Sequence, residues 1–159
     1  RRLVRTIDET LEHLKGKRKM KATAMFAGFD QAKQDEYEKQ LIERFGEKAR
    51  VGINQSKRRV KNWSKADWER SGKDWDAICN DLVSMMKRGL KEDSADVQAT
   101  VRRHFTWLKQ FWTPNQESYA GHGDFIVSSE LRNAYDKYDP NLAEFLAKAI
   151  RIFARKELS

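Results

Sequence analysis

Between residues 94 and 128 the chain carries a helical pattern that is apolar on two sides, and no other feature constrains the fold as much. Val97, Val101, Phe105, Leu108 and Trp112 recur at steps of three or four, which places them on one stripe of an α-helix. His104, Trp107 and Phe111 recur at the same spacing and make a second, neighbouring stripe. A helix apolar on one stripe packs on one core. A helix apolar on two must bury the second stripe against another helix, or offer it as the wall of a cavity. Ligand cavities are lined mainly by aromatic and hydrophobic groups with a few placed polar ones. Both outcomes are open at this point.

Thr113-Pro114 is expected to restart the helix, with Thr as N-cap, Pro at the first helical position and Gln116 completing a capping box. Tyr119, His122, Phe125 and Ile126 follow at helical spacing, although Gly121 and Gly123 weaken that segment. The two helices would meet in an aromatic corner running from His104 to Val127.

The rest of the chain divides in the same way. Val4, Ile7, Leu11 and Leu14 form an a/d seam flanked by Leu3, which suits a dimerising helix. The alternative is an amphipathic helix packing on its own domain. Arg1-Arg2-Leu3 opens in the middle of a helical pattern without an initiator Met, so a piece of something longer is expected. A charged linker from Lys15 to Lys21 follows, then Met25, Phe26 and Phe29 around Gly28. Asp30 is placed to cap a helix near 31–45 with Tyr37, Leu41, Ile42 and Phe45 on its inner face, ended by Gly46. Residues 49–60 are expected to be helical, with Gly52 against it. Ser64, with Asp67 three residues on, caps a long helix whose stripe is Trp68, Trp75, Ile78, Leu82 and Met85. Gly89 to Asp93 is a turn and Ser94 the next cap. Ser128-Ser129 is expected to start a short helix with Leu131, Tyr135 and Tyr138. Asp139-Pro140 caps the last, with Leu142, Phe145, Leu146, Ala149, Ile150 and Phe153 inward. The expected fold is all-α, with six or seven helices over residues 22–159 and a dimerisation helix and linker over 1–21.

Composition supports this and excludes several functions. Charged residues make up 35% and hydrophobic ones 39% of 159, but the apolar ones sit in periodic stripes, which argues for packed helices over disorder. No long apolar run or signal peptide is present, so a cytoplasmic protein without a membrane span is expected. The single Cys79 excludes an internal disulfide. A net charge of +8 raises nucleic acid as a partner, with Lys15–Lys21 and Lys57-Arg58-Arg59 as the densest clusters. Solvated helix faces would account for them equally. His13, His104 and His122 have no Cys or second His at i,i+3 or i,i+4, so neither metal nor haem is expected. No phosphate-binding glycine motif occurs. His122 could pair with Asp124 or Glu117 for acid–base work, but nothing supplies a nucleophile, so neither an enzyme nor a cofactor is expected.

From Met25 onward the chain resembles the TipA-S-type antibiotic-recognition domain of MerR-like transcription regulators. The matching elements are MFAGFD at 25–30, a Tyr37 helix ending Glu43-Arg44-Phe45-Gly46, and Ser64-Lys65-Ala66-Asp67-Trp68. They continue with HFTWL at 104–108, Gly123-Asp124-Phe125-Ile126-Val127 and Asp139-Pro140-Asn141-Leu142. The helix at 1–15 is similar to the antiparallel dimerisation helix of such regulators. The resemblance implies a globin-like fold and a cleft for bulky, aromatic, peptide-like antibiotics, with N-terminal segments that order over the ligand. It implies transcriptional activation by a full-length homodimer joined through residues 3–14, which would meet DNA through an upstream winged helix. A free domain would sequester drug. Two departures bear on the ligand. Thiopeptide-binding members carry capturing cysteines after the HFTWL-like motif, where this chain has Thr113, Pro114 and Gly121. Tyr119 stands where many members carry a His.

The expected ligand-binding residues are Phe26, Phe29, Trp75, His104, Trp107, Phe111, Trp112, Glu117, Tyr119, His122 and Phe125, with non-covalent binding. His104, Glu117, Tyr119 and His122 would be the polar anchors. Two competing readings are a basic nucleic-acid-binding module and a dimerisation module whose aromatic corner is core alone.

Overall fold

A computed structural model describes residues 31–158. They form α1 (Gln31–Phe45), α2 (Glu47–Val60), α3 (Lys65–Lys87), α4 (Ala95–Leu108), α5 (Gln116–Ser128), α6 (Arg132–Asp136) and α7 (Leu142–Glu157), and no strand occurs among the described residues. The all-α expectation holds. The seam at 3–14, the linker at 15–21 and the MFAGFD segment with Phe26 and Phe29 lie outside the described residues.

The last helix organises the core. Leu142, Leu146, Ile150 and Phe153 of α7 are buried, and Ala143, Ala147, Ala149 and Ala154 are buried between them. These small residues let α5 come close. A methyl group at Gly123 would lie 3.4 Å from the Cα of Ala147 and 3.4 Å from Cγ2 of Ile150. At these distances an added methyl would make ordinary van der Waals contact, so Gly123 marks where α5 packs directly on α7. Val97, Val101, Phe105 and Leu108 of α4 fill the next layer, and Ile78, Cys79, Leu82 and Val83 of α3 close it. Full burial of such side chains contributes about 1.5–3 kcal/mol each.

The helix starts follow local hydrogen-bond chemistry. Ser64 and Asp67 form the expected capping box on α3, with Ser64 N–H donating to Asp67 at 2.8 Å. Ser94 caps α4. The expected Thr113 cap is wrong: Asn115 caps α5, its Oδ1 accepting from Ser118 N–H at 2.8 Å while Ser118 Oγ accepts from Asn115 N–H at 2.8 Å. Thr113 is engaged elsewhere. Its hydroxyl accepts from Arg59 at 2.7 Å and its N–H donates to Gln55 at 3.2 Å. Ser128 and Ser129 likewise do not start a helix. Their hydroxyls donate back to the carbonyls of Asp124 and Phe125 at the end of α5, and α6 begins only at Arg132. Asp139 acts one step ahead of α7, its carboxylate accepting from Asn141 N–H at 2.8 Å. The α4 stripe was expected to continue to Trp112. The helix ends at Leu108, but Trp112 N–H still donates to the Leu108 carbonyl at 3.2 Å, so Phe111 and Trp112 stay near the helix end.

The α1–α2 hairpin is attached differently. Gly46 ends α1 at φ +71°, a conformation glycine adopts without strain. The expected inner face of α1 is not a core face: Tyr37, Leu41 and Ile42 are only half-buried, Phe45 is 40% exposed, and α2 buries no residue. The physical reason is the charged composition of both helices, which leaves too narrow an apolar stripe. Polar contacts hold the hairpin instead. Tyr37 donates to the Glu130 carbonyl at 3.2 Å, Arg44 to Ser128, Lys48 to Glu117 at 3.3 Å, and Arg59 to the Lys109 carbonyl at 2.8 Å. One ring joins them. Phe45 lies over Gly121, where an added methyl would come within 3.3 Å of its Cε1.

Candidate ligand-binding site

The second stripe of α4 meets the aromatic stripe of α3. Trp75 and Trp107 approach with ring centroids 6.4 Å apart. Trp107 continues to Phe111 at 5.1 Å, Phe111 to Trp63 at 5.5 Å, and Trp63 to Trp68 at 4.8 Å. Trp75 continues the other way to Tyr138 at 5.5 Å. A branch runs from Trp107 through His104 (5.9 Å) and His122 (6.0 Å) to Trp112 (6.2 Å). All of these rings except His104 are half-buried. The half-buried rings make two sets, joined through the buried His104, and together form an aromatic wall packed on the core.

Ser71 sets the wall's centre. It is buried on α3 and accepts the Trp107 indole N–H through its carbonyl at 3.0 Å and its hydroxyl at 3.1 Å, while its own hydroxyl donates to Gln110 at 3.0 Å. An indole whose N–H already has a partner can present its face to a ligand without leaving a buried donor unpaired. Ser71 was not foreseen. Its signal was its place between Trp68 and Trp75, at steps of three and four on one helix stripe.

Behind the wall lies a polar layer that water does not reach. His104 has no exposed surface; its Nδ1 stands 2.8 Å from the hydroxyl of Tyr119, and its Nε2 is 3.4 Å from that of Tyr135. Burial, and to a lesser degree the neighbouring His122, holds the His104 imidazole down to about 3, so it is neutral. Burial likewise pushes the Tyr119 and Tyr135 phenols up. His122 is different. It is half-buried, held down to about 4 by desolvation, and makes no hydrogen bond among the described residues. It stands in the wall as a neutral imidazole with a donor and an acceptor to offer.

The expected site residues therefore fall into groups. Trp75, Trp107, Phe111, Trp112 and His122 are brought together on the wall. His104, Tyr119 and Phe125 are 0%, 0% and 2% exposed and lie behind it, so none of them presents surface as a direct anchor. Glu117 is exposed and paired with Lys48 at the foot of the hairpin. Trp63, Trp68, Tyr135 and Tyr138 join the cluster without having been foreseen as site residues. Cys79 is fully buried, and burial pushes its thiol up to about 12, which leaves no nucleophilic thiolate near neutral pH. The basic cluster on α2 is partly engaged: Lys57 pairs with Glu38 at 3.3 Å, and Arg59 bonds Lys109 and Thr113. A separate open depression of about 490 Å³ beside Gln40, Ser129 and Asn133 is lined by polar residues and lacks aromatic rings.

Together these features define an all-helical recognition domain, with an aromatic wall laid over a buried imidazole–phenol layer. The chain belongs to the TipAS antibiotic-recognition domain family, whose model matches residues 37–153. It is similar over 157 residues to the HTH-type transcriptional regulator SkgA of Caulobacter vibrioides, at 36% identity, covering 97% of this chain and 62% of that protein. It is similar over 157 residues to the HTH-type transcriptional activator mta of Bacillus subtilis, at 25% identity, covering 95% and 59%. The chain thus spans about three-fifths of the length of these regulators. Among solved structures it matches TipAS from the Streptomyces lividans thiopeptide resistance system, in complex with nosiheptide. That match has a TM-score of 0.72 and 26% identity, and covers 84% of this chain and 92% of that one.

Proposed function

We propose that this domain binds a bulky, aromatic, peptide-like antibiotic on the wall formed by Trp75, Trp107, Phe111, Trp112 and His122, and that it acts as the sensor of a MerR-like transcription activator. The observation that carries this reading is two sets of half-buried rings, Trp75–Trp107–Phe111 and Trp112–His122, packed on the core and joined through the buried His104. Monomeric proteins bury most such surface, and a contiguous aromatic remainder marks a binding face. The TipAS relative bound to a thiopeptide supports the ligand class, and the two relatives named as transcriptional regulators support the role.

Stacking and burial supply most of the binding, and His122 supplies the polar contact. The mode is non-covalent, because the one cysteine is buried in the core. His104 and Tyr119 support the wall from behind. The domain binds and does not catalyse. Phe26 and Phe29 add to the ligand-binding residues, residues 3–14 join two copies, and an upstream winged helix meets DNA.

Tryptophan fluorescence titration with nosiheptide and a panel of other oligo-aromatic peptide antibiotics tests this. Saturable quenching that reverses on dilution is expected. A folded protein that responds to none of them contradicts it.

A further inference from the structure

Four hydrogen bonds run in series through the polar layer behind the wall. Trp75 Nε1 lies 3.4 Å from the Tyr135 hydroxyl, Tyr135 3.4 Å from His104 Nε2, His104 Nδ1 2.8 Å from the Tyr119 hydroxyl, and Tyr119 3.5 Å from the Val101 carbonyl. The two ends have fixed roles. An indole N–H only donates and a carbonyl oxygen only accepts. The three groups between are buried, so each proton needs an acceptor inside the protein.

We propose that this series is a one-way relay, from Trp75 through Tyr135, His104 and Tyr119 to Val101, and that His104 is the positioning residue that fixes Trp75 in the wall. The direction follows from the ends. Tyr119 donates to the Val101 carbonyl, so its oxygen is left to accept. His104 must then carry its proton on Nδ1. Neutral imidazole has one proton, so Nε2 is bare and Tyr135 donates to it. The Tyr135 oxygen is then free to accept the Trp75 indole N–H. The reverse arrangement fails at Tyr135. With the proton on Nε2, Tyr135 would accept from both His104 and Trp75, and its own proton would have no acceptor among the bonds present. The Val101 carbonyl, which also accepts within α4, would lose its bond from Tyr119. Only the forward direction satisfies all four links.

The neutral state that the relay requires agrees with the depressed imidazole, which burial holds down to about 3. The consequence for the wall is geometric. An indole whose N–H is tied inward at one edge presents a face of fixed orientation, which lowers the ordering cost of stacking a ligand on it. The relay stands without any ligand. Its effect on binding rests on the reading of the wall as the ligand site.

The tautomer can be read in the ligand-free protein by long-range proton–nitrogen correlation NMR, with His104 assigned by His104→Gln and the indole by Trp75→Phe. The expected result is an Nδ1–H tautomer at His104 that persists in Tyr135→Phe, together with faster exchange of the Trp75 indole proton in that variant. An Nε2–H tautomer in the wild-type protein overturns the relay. So does an indole proton whose exchange Tyr135→Phe leaves unchanged. The wild-type tautomer decides the direction even if the variant does not fold. Absence of antibiotic binding would count against the wall as a ligand site and would leave the relay standing.

Discussion

His104 of α4 and Tyr119 of α5 meet with Nδ1 2.8 Å from the phenol oxygen and their rings stacked at 5.9 Å, and neither has exposed surface. This contact joins two helices through a polar pair inside an otherwise apolar core. A buried polar group that loses its partner costs about 1–3 kcal/mol, more than the bond itself contributes. Tyr119→Phe should therefore destabilise the domain by about 1–3 kcal/mol, with the denaturation slope unchanged. Urea titration followed by circular dichroism measures it. A neutral substitution would mean that the hydroxyl has no structural role.

The same imidazole makes stability depend on pH. Its ordinary value is 6.5 and the folded value is about 3, so between these limits the unfolded chain binds the proton more readily. Unfolding free energy therefore rises with pH across that window and falls as acid is added. His122, held at about 4, acts in the same direction. The urea midpoint should drop steadily from pH 6.5 downward, and less steeply in His104→Leu. A midpoint flat from pH 6.5 to 4.5 contradicts the buried, neutral assignment.

The α1–α2 hairpin should be the least protected part of the described structure. α2 buries no residue, and the ties to α5 and its flanking turns are mostly single polar contacts such as Lys48–Glu117 and Arg59–Thr113. Segments with few buried contacts open at low free energy. Amide hydrogen exchange over residues 31–60 should be orders of magnitude faster than over α7, and Arg59→Ala should raise it further in α2. Uniform protection across all seven helices would contradict this account.

Cys79 should be inert in the native protein. It is fully buried beside Tyr135, and its thiol is held near 12. An aromatic disulfide reagent should label it only on unfolding, and mass spectrometry after incubation with a dehydroalanine-containing thiopeptide should show no adduct. Rapid native-state labelling would contradict the covered site.

Much of the core was legible in the sequence because burial repeats at helical spacing. Val97, Val101, Phe105 and Leu108 are buried as their spacing requires, and so are Leu142, Leu146, Ala149, Ile150 and Phe153 of the α7 stripe, whereas Phe145 is only half-buried. The second stripe of α4 was legible as a surface in need of a partner. Its division was not. Spacing alone does not tell His104, which α5 covers, from Trp107, which α5 leaves half open. That depends on where Tyr119 and Gly123 bring the neighbouring helix. Caps were misassigned where a side chain had a distant use. Thr113 looked like a cap because Arg59 and Gln55, 54 and 58 residues away in sequence, could not be seen to claim it. Ser71 and Tyr135 are not legible as site residues because each matters through long-range hydrogen bonds to a tryptophan or histidine.

The most direct test of the aromatic wall as a binding surface separates affinity from folding in one pair of variants. Trp107 is half-buried on the wall, whereas Leu146 is wholly in the core. Leu146→Ala should cost about 2–5 kcal/mol of stability, and at temperatures where it remains folded it should bind with little change. Trp107→Ala should stay folded and weaken binding of nosiheptide, or of whichever antibiotic in the panel binds the wild type, by about tenfold or more, equivalent to about 1.4 kcal/mol. Titration calorimetry on the folded fraction of each provides the comparison. Wild-type affinity in Trp107→Ala, or a folded wild type that binds no member of the panel, would contradict the wall as the ligand site.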